Sequence, residues 1–251
     1  MSSENQHHLP TSTAYDLWST VYDTDGNVLQ QLDDKYIATH LPPLITPGNT
    51  IIELGCGTGR NTLKLAELGA HVLAVDNSRG MLDKLEAKIL ENKDLKDRVE
   101  VFVVDLNTFL AVSDGGDEDG FKTAVEEKKN NISGVVSTLV LEHLTLSTFF
   151  SVVSNILPPS GWLLLTNMHW EMGAISSAGF NDPTSGKKVK PVSMNHTKDE
   201  ILAEAEKWGF VVDGGVEEEG IRDLEHAKGF GRRAEKWVGV LMHFGVVFRK
   251  V

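Results

Sequence analysis

The sequence holds one cysteine, Cys56, among 251 residues. No internal disulfide can form, and a reducing, cytoplasmic compartment is the expectation. Aromatic residues make up only 7% of the chain, and no apolar run approaches the ~20 residues that a membrane span needs. The opening "MSSENQHHLP" lacks the apolar core of a secretory signal. Positive charge is scarce: 24 Lys and Arg stand against 36 Asp and Glu, a formal net charge of −12. Nucleic-acid binders usually carry a basic face, so nucleic acid is not an expected partner. Metal-site spacing is missing as well. The 9 histidines are scattered, and neither H-E-x-x-H nor a cysteine cluster occurs, so no metal is expected.

What the chain does have is alternation. The apolar content, 41%, suits a soluble globular protein with a sizeable core. Residues 1–13 read as a flexible polar tail. "AYDLWSTVYD" from Ala14 places Tyr15, Leu17, Trp18, Val21 and Tyr22 near helical spacing, and a second helix is predicted from Val28 to Leu41. After the breakers in "PPLITPGN", short branched strands alternate with amphipathic helices: "TIIELG", "RNTLKLAELG", "AHVLAVD", "SRGMLDKLEAKILENK", "VEVFVVD". The polar stretch at 113–131, acidic first and then helix-forming, reads as a solvated surface insertion. Its "DGGDEDG" lacks the ligand spacing of a calcium loop. "ISGVVSTLV", a helix, "WLLLTNMH", an irregular segment at about 170–198, a further helix, "FVVDGGVEE" and a long final strand complete the pattern. Such alternation predicts a mostly parallel sheet covered on both faces.

In such a sheet the ligand lies beyond the strand ends where strand order reverses. Gly55, Gly57 and Gly59 fall in the first strand-to-helix turn, where glycine allows close backbone approach. Arg60 stands where a dinucleotide fingerprint needs its third glycine, and no P-loop lysine follows. A nicotinamide oxidoreductase is therefore disfavoured. Asp76 ends the second strand, 21 residues beyond Gly55, where an acid can take both ribose hydroxyls. Asp105 ends the third, where it can accept from an exocyclic amine. With Glu53 these make three acids at three strand ends, which suits a cationic adenosine ligand without phosphate.

These motifs resemble those of the class I S-adenosylmethionine-dependent methyltransferases, over nearly the whole chain. "IIELGCGTGRNT", "VLAVDNSRGML", "VVDLNT", "GVVSTLVLEHL" and "ILPPSGWLLLTN" are similar to the family's successive motifs. The opening aromatic helix is similar to that of its small-molecule members. Ile132-Ser133-Gly134, in place of the frequent Phe-Asp, and "LPPSGW" depart from the pattern. The resemblance implies a Rossmann-like, doubly wound, seven-stranded α/β sheet, mostly parallel with its last strand antiparallel. It implies lid helices at 14–46 before a methyltransferase domain at 47–251.

It also implies a cofactor shell for S-adenosyl-L-methionine: Glu53, Gly55, Cys56, Gly57, Asp76 with Asn77, Met81 against the adenine, Asp105, Leu106 beside the ring, and Leu139. Cys56 reads as a small residue filling a tight turn, not as a reactive thiol. Arg60 either meets the cofactor carboxylate or lies on the helix surface. Tyr15, Trp18 and Tyr22 are expected to close over the sulfonium, which is drawn to aromatic faces. His143 is the candidate general base. Glu142, His169 and Trp170 are candidates for the acceptor pocket, whereas His196 reads as surface. The expected partner is a small-molecule acceptor offering oxygen, nitrogen or sulfur. Two other readings stay open: a cofactor-binding protein of this fold that transfers no methyl, and a protein methyltransferase.

Overall fold

The computed structural model describes residues 6–110 and 117–251. A seven-stranded sheet runs in the order β4 (Val99–Val103), β3 (His71–Asp76), β2 (Thr50–Leu54), β5 (Ile132–Thr138), β6 (Trp162–Met168), β10 (Leu241–Lys250), β9 (Phe210–Gly220). All neighbours from β4 to β6 pair in parallel, and β10 runs antiparallel to both β6 and β9. The expected α/β architecture is therefore present. The strands at its centre are buried along their whole length: all of β2 and all of β6. Branched and apolar runs without polar alternation demand cover on both faces.

One face is covered by α2 (Val28–His40), α3 (Arg60–Glu67) and α4 (Arg79–Glu91), which pack Ile37, Leu65, Leu82 and Leu85 against Ile51, Val72 and Val136. The four-residue α5 (Lys93–Lys96) leads into β4. The other face is covered by α6 (Asp117–Lys128), α7 (Leu146–Ile156) and α9 (Lys198–Lys207). Local sequence explains several starts. Ser78 caps α4 by accepting from the Met81 amide, and Thr197 with Glu200 forms a capping box on α9.

The stretch expected to be a solvated insertion is instead a crossover helix. In α6, Phe121 is fully buried against Phe102 and Phe109. A phenylalanine so placed contributes about 2–3 kcal/mol, which outweighs the acidic surroundings that mask its burial in the sequence. The first half of the acidic stretch, 111–116, lies outside the described residues. The expected tail is corrected too. Its residues 1–5 lie outside the described residues, but β1 (Gln6–Leu9) pairs in parallel with β8 (Lys188–Pro191), which pairs with β7 (Phe180–Asn181). α1 (Thr11–Trp18) follows at once, and a 3-10 turn at Tyr22–Thr24 separates it from α2.

Residues 221–236 carry no expected element, and the final strand, expected from Trp237, begins only at Leu241; 221–237 instead forms α10 (Leu224–Lys228) and a 3-10 turn at Arg232–Trp237. It buries Ala227, Phe230 and Trp237 against Val28, Leu29 and Leu32 of α2. The remaining helix, α8 (Trp170–Ile175), follows β6. Among the described residues no helix is long and apolar enough to cross a membrane.

Candidate active site

Strand order reverses between β2 and β5, and a cleft of about 680 Å³ opens at their carboxyl ends. Gly55 and Gly57 form one wall, both at positive φ, +73° and +56°. A Cβ on Gly55 would come within 2.1 Å of Val140, so only glycine lets the loop lie against β5. A Cβ on Gly57 would meet nothing within 4 Å; it would project into open space. That is the geometry of a backbone cradle kept clear for a ligand.

Asp76 lies across from the loop. One carboxylate oxygen accepts from the Gly57 amide and the other from the Ser78 amide, each at 2.9 Å. Burial pushes its pKa up to about 6, against the opposing pull of those backbone amides. Each oxygen keeps a second lone pair, so the group suits a pair of hydroxyl donors. Asp105 uses Oδ1 for the Asn107 amide and side chain, both at 2.9 Å; its Oδ2 has no partner among the described residues. Asn77, Leu106, Leu139, His143, Tyr15 and Tyr22 line the same cleft.

The donor set therefore fits the expected cofactor. A flat base would lie by Leu106 and Asp105, a ribose on Asp76, and a sulfonium beside the aromatic lip. Thr11, Asn107, Thr138, Val140 and Leu144 also line the cleft and were missed. Asn107, Thr138, Val140 and Leu144 adjoin motif residues, and which side of a strand end they face is a matter of tertiary placement; Thr11, expected in the polar tail, opens α1 and reaches the cleft only in the folded chain.

A second cavity, of about 850 Å³, lies behind this cleft. Tyr15, Tyr22 and Leu139 line both and form the partition. Leu139 adopts a left-handed conformation, φ 59°, which costs a non-glycine residue roughly 1 kcal/mol. Its amide reaches Thr166 O at 3.0 Å, so β6 holds the strained residue in place. Trp18 faces the second cavity rather than the cofactor cleft. It stacks on Phe180 at 5.3 Å and donates to Asp25 at 3.1 Å.

The His143–Glu142 turn sits at the partition. The His143 Nδ1–H donates to Val192 O at 2.7 Å, which leaves Nε2 to accept from the Tyr15 hydroxyl at 2.9 Å. Burial holds the imidazole pKa below its ordinary value. Glu142 lines the second cavity. Its Oε1 lies 3.5 Å from His143 Nε2, and its Oε2 is buried without a hydrogen-bond partner. Burial pushes Glu142 up to about 8. Segment 192–196 fastens this turn, because Met194 N donates to Glu142 O and His196 Nε2 to Leu144 O, at 2.6 and 2.9 Å. His196, read as surface, is thus a structural tie.

Several expected site residues are placed elsewhere. Arg60 does not line the cleft: its guanidinium pairs with Asp33 and Asp34 of α2, so opposite charge from the lid has taken it. Met81 is fully buried beneath α1 with Ala14 and Trp18, not exposed to a ring in the cleft. Glu53 is buried under the loop, where its Oε2 accepts from Thr62 at 2.5 Å; burial raises its pKa to about 7. Cys56 is also buried, and burial pushes its thiol pKa well up. His169 caps α8 and donates to Glu218 at 2.8 Å, away from both cavities. Trp170 is exposed at the start of α8 and lines neither.

The cleft at the switch point, with its glycine cradle and strand-end acids, defines a nucleotide-type site in a Rossmann-like transferase. A family profile described as a methyltransferase domain matches residues 51–161. An uncharacterised methyltransferase from Emericella nidulans is 38% identical, over 95% of this chain and 90% of its own. In structure the chain is similar to magnesium protoporphyrin IX methyltransferase from Synechocystis PCC 6803, solved with bound SAH: TM-score 0.60, 17% identity, 96% and 95% of the two chains covered. It is also similar to geranyl diphosphate C-methyltransferase from Streptomyces coelicolor A3(2), at TM-score 0.59 and 14% identity, with 88% and 80% covered. The chain belongs to the S-adenosylmethionine-dependent methyltransferase family.

Proposed function

We propose that this chain methylates an oxygen, nitrogen or sulfur atom of a small molecule seated in the second cavity. One observation carries the reading: two cavities share a single wall of Tyr15, Tyr22 and Leu139, with unused proton-accepting capacity at Glu142 beside it. S-adenosylmethionine, when bound, supplies a methyl group already activated on a sulfonium. The protein's work is then to hold, align and dry the site.

Asp76 and Asp105 hold the adenosine end, and the Gly55–Gly57 backbone sets its depth. Tyr15 and Tyr22 present aromatic faces to the cation. With the cofactor held by those residues, the Tyr15–Tyr22–Leu139 wall would align an acceptor seated in the second cavity for in-line transfer of the methyl group that the cofactor supplies. A proton released by the acceptor passes to Glu142. His143, already engaged at both nitrogens, fixes the Tyr15 hydroxyl and acts as a positioning residue. The lid helices at 14–46 exclude water.

The test is calorimetric titration with S-adenosylhomocysteine, followed by an acceptor screen that reads its release from S-adenosylmethionine. Micromolar binding is expected. Asp76→Ala should weaken it about 30-fold, near 2 kcal/mol, while the far-ultraviolet dichroism stays unchanged. Unaltered affinity in that variant would remove the ribose assignment.

A further inference from the structure

The second cavity carries two kinds of unmet chemistry. At the partition, Glu142 Oε2 is a buried oxygen without a hydrogen-bond partner, and Asp25 Oδ1, on a half-buried carboxyl beside Arg233, is another. A buried acceptor or hydroxyl left unpaired costs about 1–3 kcal/mol, so a ligand that pairs it gains that amount back. At its mouth stand three cations, Lys188, Arg233 and Lys236. They cluster although acids outnumber bases 36 to 24 in this chain. Arg233 is anchored there by donating to the backbone oxygen of Asp25. Lys236 lies over the Trp237 ring, 4.7 Å from its centre. Among the described residues neither Lys188 nor Lys236 has a carboxylate partner. Burial lowers the Lys188 pKa, and the charges of Lys190 and Lys236 lower it further, as expected for cations with no anion between them. Between the two ends lies an apolar wall that includes Val28, Met168, Met172, Trp237 and Met242.

We propose that the acceptor is an amphipathic anion: a carboxylate or phosphate group held at Lys188, Arg233 and Lys236, an apolar middle, and a hydroxyl or amine that donates to Glu142 at the partition. The assignment rests on the methyl-transfer reading for which group reacts, but not for which group binds at the rim. With Glu142 protonated below about pH 8, the partition adds no charge that would repel the anion at neutral pH, and the Asp25 carboxyl lies beside Arg233, whose charge opposes its own. The protein's net charge of −12 gives an anion no long-range attraction, so recognition has to come from these three side chains at short range.

Phenylacetate, phenyl phosphate and the neutral phenylacetamide serve as probes, titrated by calorimetry into the protein alone and into protein saturated with S-adenosylhomocysteine. The anions should bind at least about tenfold more tightly than the amide, in both forms of the protein. Whichever of phenylacetate and phenyl phosphate binds more tightly identifies the head group. The double variant Lys188→Gln/Lys236→Gln should lose that preference, and Lys188→Arg/Lys236→Arg should keep it. Equal affinity for amide and anions, no anion binding, or a preference that survives the glutamine variant would each overturn the proposal. So would a matching loss of S-adenosylhomocysteine affinity in the glutamine variant, because the rim would then hold the cofactor's own carboxylate. Absence of S-adenosylhomocysteine binding would instead strike the methyl-transfer reading, with the anion arm on free protein still deciding the rim.

Discussion

Glu142 is where proton chemistry and stability meet in one side chain. Burial lifts its pKa to about 8, so it is largely protonated at neutral pH. If it takes the acceptor's proton, turnover should rise with pH and level off above about 8. A base of lowered pKa, as at His143, would already have levelled off in the acid range. Glu142→Gln should lower kcat about 100-fold with little change in KM, measured with any acceptor that the screen yields. The same substitution makes a stability prediction of opposite benefit. The folded-state pKa exceeds the unfolded value, so stability is full below the ordinary carboxylate range and is lost as pH rises toward about 8. Melting curves should therefore show Glu142→Gln gaining on the wild type as pH increases.

Asp76 gives a matching prediction for binding. Its pKa near 6 in the free protein must fall when hydroxyl donors arrive, so S-adenosylhomocysteine affinity should drop as pH falls through about 6. Calorimetry in buffers of different ionisation enthalpy would show the accompanying proton release. Asp76 and the glycines were legible in the sequence because strand ends and turns dictate residue type locally. The engagement of both His143 nitrogens was not. It depends on Val192 and Tyr15, which lie 49 and 128 residues from His143 and reach it only in the folded chain.

At the scale of elements, the lid is held by acids. Asp16 of α1 accepts from Ser78 Oγ and the Gly80 amide at the start of α4, at 2.6 and 2.9 Å. Asp23 meets Thr58 of the glycine loop and Lys88 of α4, at 2.5 and 2.7 Å. Asp33 of α2 is fully buried and joins Arg60, Thr166 and His243. Burial alone would raise its pKa, but the His243 hydrogen bond and the Arg60 charge outweigh that and hold it below the usual carboxylate range. Removing it leaves the buried Thr166 hydroxyl and His243 imidazole without their acceptor and takes one of two carboxylates from Arg60, which keeps Asp34. Asp33→Ala should cost about 3–5 kcal/mol in urea denaturation. The excess of acid in the composition is thus partly explained without any basic partner. The two readings open for Arg60, cofactor carboxylate or helix surface, both come from its local spacing, whereas the α2 carboxylates that claim it are 26 and 27 residues away.

For the molecule as a whole, strand and helix alternation was sufficient to give a mostly parallel sheet covered on both faces, since buried runs of Val, Ile and Leu leave few other arrangements; the seven strands and the antiparallel one came only from the family resemblance. Charge concealed the rest. The acids around Phe121 mask how deeply its helix is buried, and Ala227, Phe230 and Trp237 are interspersed with bases at 221–237; of these three, Trp237 lines the second cavity. The strap of β1 on β8 was hidden for another reason: its partners are separated by nearly the whole chain, from Gln6 to Lys188.

That strap leads directly into α1, which carries Tyr15, and its partner strand carries Lys188 of the rim. One strip of backbone pairing thus serves both cavities, and loosening it would be felt at Tyr15 and at Lys188 together. Removing residues 1–9 should therefore weaken S-adenosylhomocysteine and the anionic probes in step, which calorimetry on the truncated protein would read.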